Sequence, residues 1–223
     1  MKDRRGNFRR RAVGGPQAPL RATELALQRA GSARALVLVE GISDQVAVEV
    51  AAHRMGRDLA AEGVVVVPAG GVGSIGALAL RFGPAGAGLP LVGLCDAAEV
   101  VWVCRALVKA RVGIALDVAG LARLGFFVCA RDLEDELIRA LEPGTVEALL
   151  DREGDLTAFR TLQRQKVWAD APFADQVRRF LAAGAGRKLR YAGVFTGAVA
   201  LGQMPAPLGG LMDRVSLKTG NVT

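Results

Sequence analysis

The residues of this chain best suited to chemistry are carboxylates that follow apolar runs. Glu40 comes directly after Arg34-Ala-Leu-Val-Leu-Val39, and Asp44 follows in Glu40-Gly-Ile-Ser-Asp44. Asp96 ends the run Pro90-Leu-Val-Gly-Leu-Cys95, while Asp132 and Glu134 come shortly after Phe126-Phe-Val-Cys129. Short apolar runs bounded by turn residues have the pattern of buried strands, so each acid is mounted on a rigid support. If Ser43 opens a helix, Glu40 sits at a strand's carboxyl end and Asp44 in the first turn beside it, and the two share one crevice. Carboxylates that close repel by roughly several kcal/mol unless a proton or a cation lies between them. A divalent cation is the economical explanation, and oxygen ligands without a histidine cluster favour Mg2+ or Mn2+, which keep waters and bind substrate phosphates.

The elements that must position these acids can be read in order. A helix is expected from about Thr23 to Arg29, then a strand over Arg34 to Val39 and a helix from Ser43 to Met55. The valines Val64 to Val67 form a second strand ending in Pro68-Ala-Gly-Gly71, with a helix from Ser74 to Phe82. Pro90 to Cys95 is the third strand, followed by a helix from about Glu99 to Lys109 with Trp102 and Leu107 facing inward. Val112 to Leu124 is ambiguous between strand and helix, with a helix favoured near its end. Phe126 to Cys129 is the fourth strand, and Asp132 makes a good amino-terminal cap for a helix to Leu141. Beyond Pro143 the pattern becomes short amphipathic helices: Gly144 to Leu150, Asp155 to Lys166, Pro172 to Ala183, Arg187 to Ala200 and Leu208 to Val215.

Wholly apolar strands alternating with helices predict an α/β fold with a four-stranded parallel sheet covered on both faces. Ligands of such sheets gather outside the carboxyl ends of the strands. Acids stand at three of the four strand ends, which is hard to explain as solvated decoration. The expected organisation is a basic disordered arm over 1–22, an α/β domain over 23–142 and a helical appendage over 143–223 packed on the core.

Composition narrows the classes. The chain has 223 residues, 51% of them hydrophobic and 23% charged, which is globular rather than disordered. Of the net charge of +7, the first eleven residues carry +5, and such a segment suits a phosphate backbone or simple solvation. Cys95, Cys104 and Cys129 have no CxxC spacing, so neither a zinc site nor a disulfide framework is indicated and a reducing cytoplasm fits. No signal peptide is expected, and the uncharged run Gly63 to Leu80 is too rich in glycine, with Pro68, to span a membrane.

These motifs carry a resemblance. Glu-Gly-x-x-Asp at Glu40 to Asp44, the glycine-rich segment near Gly70, Cys95-Asp96-Ala-Ala-Glu99, and Phe-Val-x-x-Arg-Asp-Leu-Glu at Phe127 to Glu134 resemble a TOPRIM (Rossmann-like) domain, over roughly residues 34–140. The pattern is most similar to the OLD (overcoming lysogenization defect) nucleases, and Gly186-Arg-Lys188-Leu-Arg-Tyr-Ala looks like the lysine-bearing appendage of that family. The resemblance implies metal or acid–base duty for Glu40, metal ligation for Asp44, Asp96 and Glu134, and a phosphate-facing catalytic charge for Lys188. It also implies Mg2+ or Mn2+ as cofactor and DNA as partner, with nicking or cleavage as the reaction. The sequence departs from the family in two places. Asp-x-Asp is replaced by Asp96-Ala97-Ala98, with Glu99 the nearest substitute, and no Gly-x-x-x-x-Gly-Lys-Ser/Thr loop exists, so an ATPase would act in trans. A homodimer is compatible with the sequence.

Other readings stand beside this one. Gly71-Val-Gly73-Ser-Ile-Gly76 between a strand and a helix has the form of a dinucleotide-binding fingerprint, with Asp96 for a ribose. A TOPRIM scaffold that binds nucleic acid without cutting it would account for Ala98. Singly, Asp44 reads as a helix-dipole partner, Asp132 as a cap, Lys188 as part of a solvated face, and His53, Trp102, Trp168 and Tyr191 as structural.

Overall fold

The computed structural model describes residues 17–184 and 186–220. The most basic part of the expected arm, residues 2–11, lies outside the described residues. Strand β1 (Ala35–Val39) is buried at every position, because alternate residues feed two different apolar layers. Ala35, Val37 and Val39 belong to one cluster, Leu36 and Leu38 to the other. Strands β2 (Val64–Pro68), β3 (Leu91–Asp96) and β4 (Phe126–Cys129) join β1 in a parallel sheet of order β2-β1-β3-β4. From β1 the chain goes to one side to make β2, then crosses back to make β3. The winding therefore reverses between β1 and β3, and at such a switch point the connections part and leave a crevice at the strands' carboxyl ends.

One face of the sheet is covered by helices α1 (Ala18–Ala30), α3 (Val72–Phe82), α4 (Val100–Lys109) and α5 (Val118–Leu124). The other is covered by α2 (Ile42–Arg54), α6 (Leu133–Arg139) and the carboxyl-terminal helices α7 (Pro143–Arg152), α8 (Leu156–Gln163), α9 (Phe173–Ala182), α10 (Arg187–Ala198) and α11 (Ala206–Gly220). Phe159, Phe180, Tyr191, Phe195 and Met212 share one buried cluster with Val37 and Val39. Residues on both sides of the expected boundary at 142/143 thus contribute to the same core. Asp155 fastens this layer: Arg187 and Arg190 pair with its carboxylate and the buried Tyr191 hydroxyl donates to it at 2.9 Å. Within the layer Gly193 lies where a side-chain carbon would stand 3.2 Å from Val46, so α10 packs closely on α2.

The sequence expectations fail in instructive places. Helix α1 begins at Ala18, so residues 18–22 are helical rather than part of an arm. Pro19 in the first turn favours that start, because its missing N–H would have no helical partner there. Trp102 is 62% exposed, and α4 instead buries Val103 and Leu107. By contrast, the helix favoured near the end of 112–124 is present as α5, which Asp117 caps by accepting from the Gly120 amide at 2.6 Å. Helix α11 is longer than expected, and the helix placed at 155–166 is shorter.

Gly93 lies in the middle of β3, where an added side-chain carbon would stand 2.7 Å from the Leu38 carbonyl oxygen and 2.8 Å from the Phe126 ring. The sheet cannot yield there without disturbing the pairing that brings β1 beside β3. Gly93→Ala is predicted to lower stability by roughly 1–3 kcal/mol, the usual cost of overpacking, and urea unfolding measures it.

Candidate active site

A cleft of about 310 Å³ opens at the switch point, lined among others by Glu40, Ser43, Asp44, Asp96, Asp132 and Lys188. Glu40 is the first residue beyond β1, and its backbone is fixed by the glycine loop after β2. The Gly70 and Gly71 amides donate to the Glu40 carbonyl oxygen at 2.9 and 3.2 Å, and the Ala69 amide donates to Val39 at 2.8 Å. Gly70 and Gly71 have φ of +77° and +124°, conformations a side chain would strain, so this strap needs glycines. Gly76 serves helix packing, since an added side-chain carbon would stand 3.3 Å from Ala106. The fingerprint-like glycines therefore have local work, and two of the loop's amides are already engaged rather than free for a pyrophosphate.

Asp44, in the first turn of α2, reaches back so that the Gly41 amide donates to its Oδ2 at 2.9 Å. This satisfies a helix-end amide and tightens the Glu40-Gly41 turn. Burial nevertheless pushes its carboxyl up to about 6; the Gly41 bond and Lys188 act against the rise, and Glu40 adds to it. Asp96, at the end of β3, is pushed up to about 7 by burial and then by the charges of Glu40, Asp132, Asp44 and Glu99. Asp132 caps α6 through the Asp135 amide at 2.8 Å, and its other oxygen pairs with Arg178 of α9. Arg178 comes from 46 residues away and carries no sequence signal.

Glu134 is buried in the first turn of α6, with Lys188 Nζ 3.4 Å from its Oε1. Burial outweighs that cation and pushes Glu134 up to about 7. Lys188 stands in the first turn of α10; burial works to lower its pKa, but Glu134, Asp44 and Asp132 outweigh it and hold it above the ordinary value. The structure thus places Glu40, Asp44, Asp96 and Lys188 on one cleft, with Glu134 behind Lys188 as its ion-pair partner. The sequence reading put Asp132 at this edge as a cap, which it is, but did not place Ser43 in the crevice, nor Pro19 of α1, which also lines it. Burial pushes the Cys95 thiol up to about 12, so this cysteine is no ready thiolate.

The donor set suits a hard divalent cation: carboxylates whose pKa values are raised first by burial and then by one another's charge, with an ammonium at one side. Among the described residues, no three His, Cys, Asp or Glu side chains already stand close enough to enclose an ion. The acids converge on the cleft without closing on a point. Among the described residues no helix is long and apolar enough to cross a membrane.

The carboxyls of Asp44, Asp96 and Glu134 all have raised folded pKa values, so between about pH 4 and pH 7 the folded chain binds more protons than the unfolded one. Stability drawn from the protonated forms is present below that window and lost as pH rises through it. Without divalent cations, the free energy of unfolding should therefore fall between about pH 4 and pH 7, by on the order of 1–3 kcal/mol after allowance for solvent screening. Millimolar Mg2+ at the upper pH should recover much of the loss, measured by urea unfolding across the range.

Residues 33–97 match the model of the overcoming lysogenization defect protein-like TOPRIM domain. The chain is similar to the solved C-terminal region of the Xanthomonas campestris pv. campestris OLD protein, at 21% identity and TM-score 0.66, covering 84% of this chain and 97% of that one. It is also similar to the C-terminal region of the Burkholderia pseudomallei OLD protein, at 19% identity and TM-score 0.63, covering 84% and 98%. No curated protein matches the chain. Glu40, Asp44 and Asp96 fall inside the matched segment, Glu134 and Lys188 beyond it. Residues 33–97 are thus similar to an OLD-like TOPRIM domain, and they lie within a four-stranded parallel fold shared with the C-terminal regions of OLD proteins.

Proposed function

We propose that the protein is a metal-dependent nuclease that nicks or cleaves DNA at the β1/β3 switch point. The observation that carries this reading is the convergence of Glu40 and Asp96 from two adjacent strand ends onto one cleft that also holds Asp44 and Lys188. Glu40, Asp96 and Glu134, with Asp44, would hold Mg2+ or Mn2+ there. A cation so held neutralises charge on a phosphate and lowers the pKa of an attacking water. The chain's own groups supply the rest. Glu40 accepts the proton released by the water. Lys188 faces the phosphate and offsets charge developing on the leaving oxygen. Asp44 keeps the Glu40 turn in place through the Gly41 amide, and Glu134 aims Lys188 from behind.

The net charge of +7 favours a polyanionic partner. Tyr191 is fully buried and bonded to Asp155, so it is not placed to form a covalent link to DNA. Hydrolysis therefore fits better than strand passage. The reading assigns any ATP-driven step to an ATPase acting in trans, and a homodimer is compatible with it. A second reading, a TOPRIM scaffold that binds nucleic acid without cutting, is favoured by Ala98 and by the open arrangement of the acids.

Supercoiled plasmid incubated with the protein and Mg2+ or Mn2+ separates the two. The nuclease reading predicts nicking that falls at least about 100-fold in Glu40→Gln, as for loss of a general base. DNA binding without nicking by the wild type would favour the scaffold. Lys188→Ala is predicted to slow nicking by about 10²-fold while leaving metal affinity within a few fold, since an ammonium is no metal ligand; equal rates in the two proteins would remove Lys188 from the mechanism.

A further inference from the structure

Helix α4 buries Val103 and Leu107 against the sheet and leaves Val101, Trp102, Arg105, Val108 and Lys109 exposed. The exposed five recur at helical spacing, so they form one stripe along the outer face. Two of them are cations, and α4 contains no acid. Trp102 is 62% exposed, with Val101 at 57% and Val108 at 48%. The chain's other tryptophan, Trp168, packs instead against a buried cluster. The guanidinium of Arg105 stands 5.6 Å from the centre of the Trp102 ring, a pairing that steadies the indole while leaving it open to solvent.

The stripe begins beside the cleft. Strand β3 ends at Asp96, which lines the cleft, Ala97–Glu99 make one 3-10 turn, and Trp102 stands in the first turn of α4. The rise of those turns puts its backbone roughly 10 Å from that of Asp96, at the carboxyl edge of the sheet. Lys109 lies two turns further from the cleft, and the exposed Arg111 follows just past the helix end. A second copy of the chain is disfavoured as the partner of this face, because it would set cation against cation. An aromatic ring among cations suits a polyanion that carries flat apolar groups: bases stack on the ring and phosphates meet the cations. Bases inside a duplex are stacked on one another and offer no free face, so the ring selects an unpaired strand.

We propose that the exposed stripe of α4 binds a single-stranded stretch of DNA leading to the cleft, with Trp102 stacking on a base and Arg105 and Lys109 meeting its phosphates. This rests on the nuclease reading above and adds to it the strandedness of the substrate at one side of the cleft.

Binding is followed in EDTA, so that no cleavage intervenes, with oligo-dT and with a blunt duplex of equal length. In a Trp168→Phe background, where Trp102 is the sole tryptophan, oligo-dT is expected to quench the emission saturably and the duplex to quench it little. Trp102→Ala is expected to weaken oligo-dT binding by at least about fivefold, the usual loss for one stacked base, and the duplex much less. Trp102→Phe, which keeps a ring, should restore most of the affinity. The double variant Arg105→Gln/Lys109→Gln should lower the slope of log affinity against log salt by about 1.4, as for two phosphate contacts on a single strand. Should Trp168→Phe fold poorly, the difference between wild type and Trp102→Phe gives the same quenching. Unquenched emission, or equal oligo-dT affinity in Trp102→Ala, would overturn the stripe's role, and plasmid nicking lost in Glu40→Gln would then leave the nuclease reading standing. Tighter quenching by a synthetic acidic helix of leucine and glutamate than by oligo-dT would assign the face to a protein partner and overturn the proposal. A wild type that binds neither DNA would overturn both readings.

Discussion

The repulsion among carboxylates at one sheet edge is the constraint around which the structure is arranged. Left to themselves, Asp44, Asp96, Glu99 and Glu134 would move apart or take up protons. They do not move apart because they are mounted on elements buried in two apolar layers, and the burial that holds them also raises their pKa values. The same rigidity that makes the acids unfavourable without a cation makes them suitable for holding one.

The supporting structure is distributed through the chain. A glycine loop after β2 fixes the backbone at Glu40, and Gly93 in β3 leaves room for the Phe126 ring while β1 and β3 pair. The carboxyl-terminal helices complete one apolar layer, and through α10 they bring Lys188 to the cleft and to Glu134. The same layer supplies Arg178, which neutralises Asp132 at the cleft wall. Removing that layer would expose the face of the sheet that carries Val37 and Val39, so the lysine arrives with part of the core rather than on a flexible extension.

How much of this was legible in the sequence depended on the range of each interaction. The strands could be read because both faces are covered and every residue is apolar, and from them followed the edge that gathers Glu40, Asp96 and Glu134. The Asp132 cap could be read because its partner, Asp135, is three residues away. Arg178 could not be read, because its partner is set by tertiary packing. Trp102 was misplaced because its apolar character was taken as evidence of burial, whereas Val103 and Leu107 fill the inward positions of α4. Pro19 was assigned to a tail because a basic segment hides a helix start, and in the fold it lies on the rim of the cleft. The 3-10 turn Ala97–Glu99 between β3 and α4 is a matter of one residue's phase, and periodicity does not resolve that.

The central claim is that the acids at the β1/β3 edge converge on one cation. Anomalous diffraction from crystals soaked in Mn2+ tests it most directly. The account predicts a peak at the switch point within about 2.5 Å of oxygens from both Glu40 and Asp96, with the side chains closed on it. A cleft that stays open with no peak at millimolar Mn2+, or a peak elsewhere on the molecule alone, would contradict it.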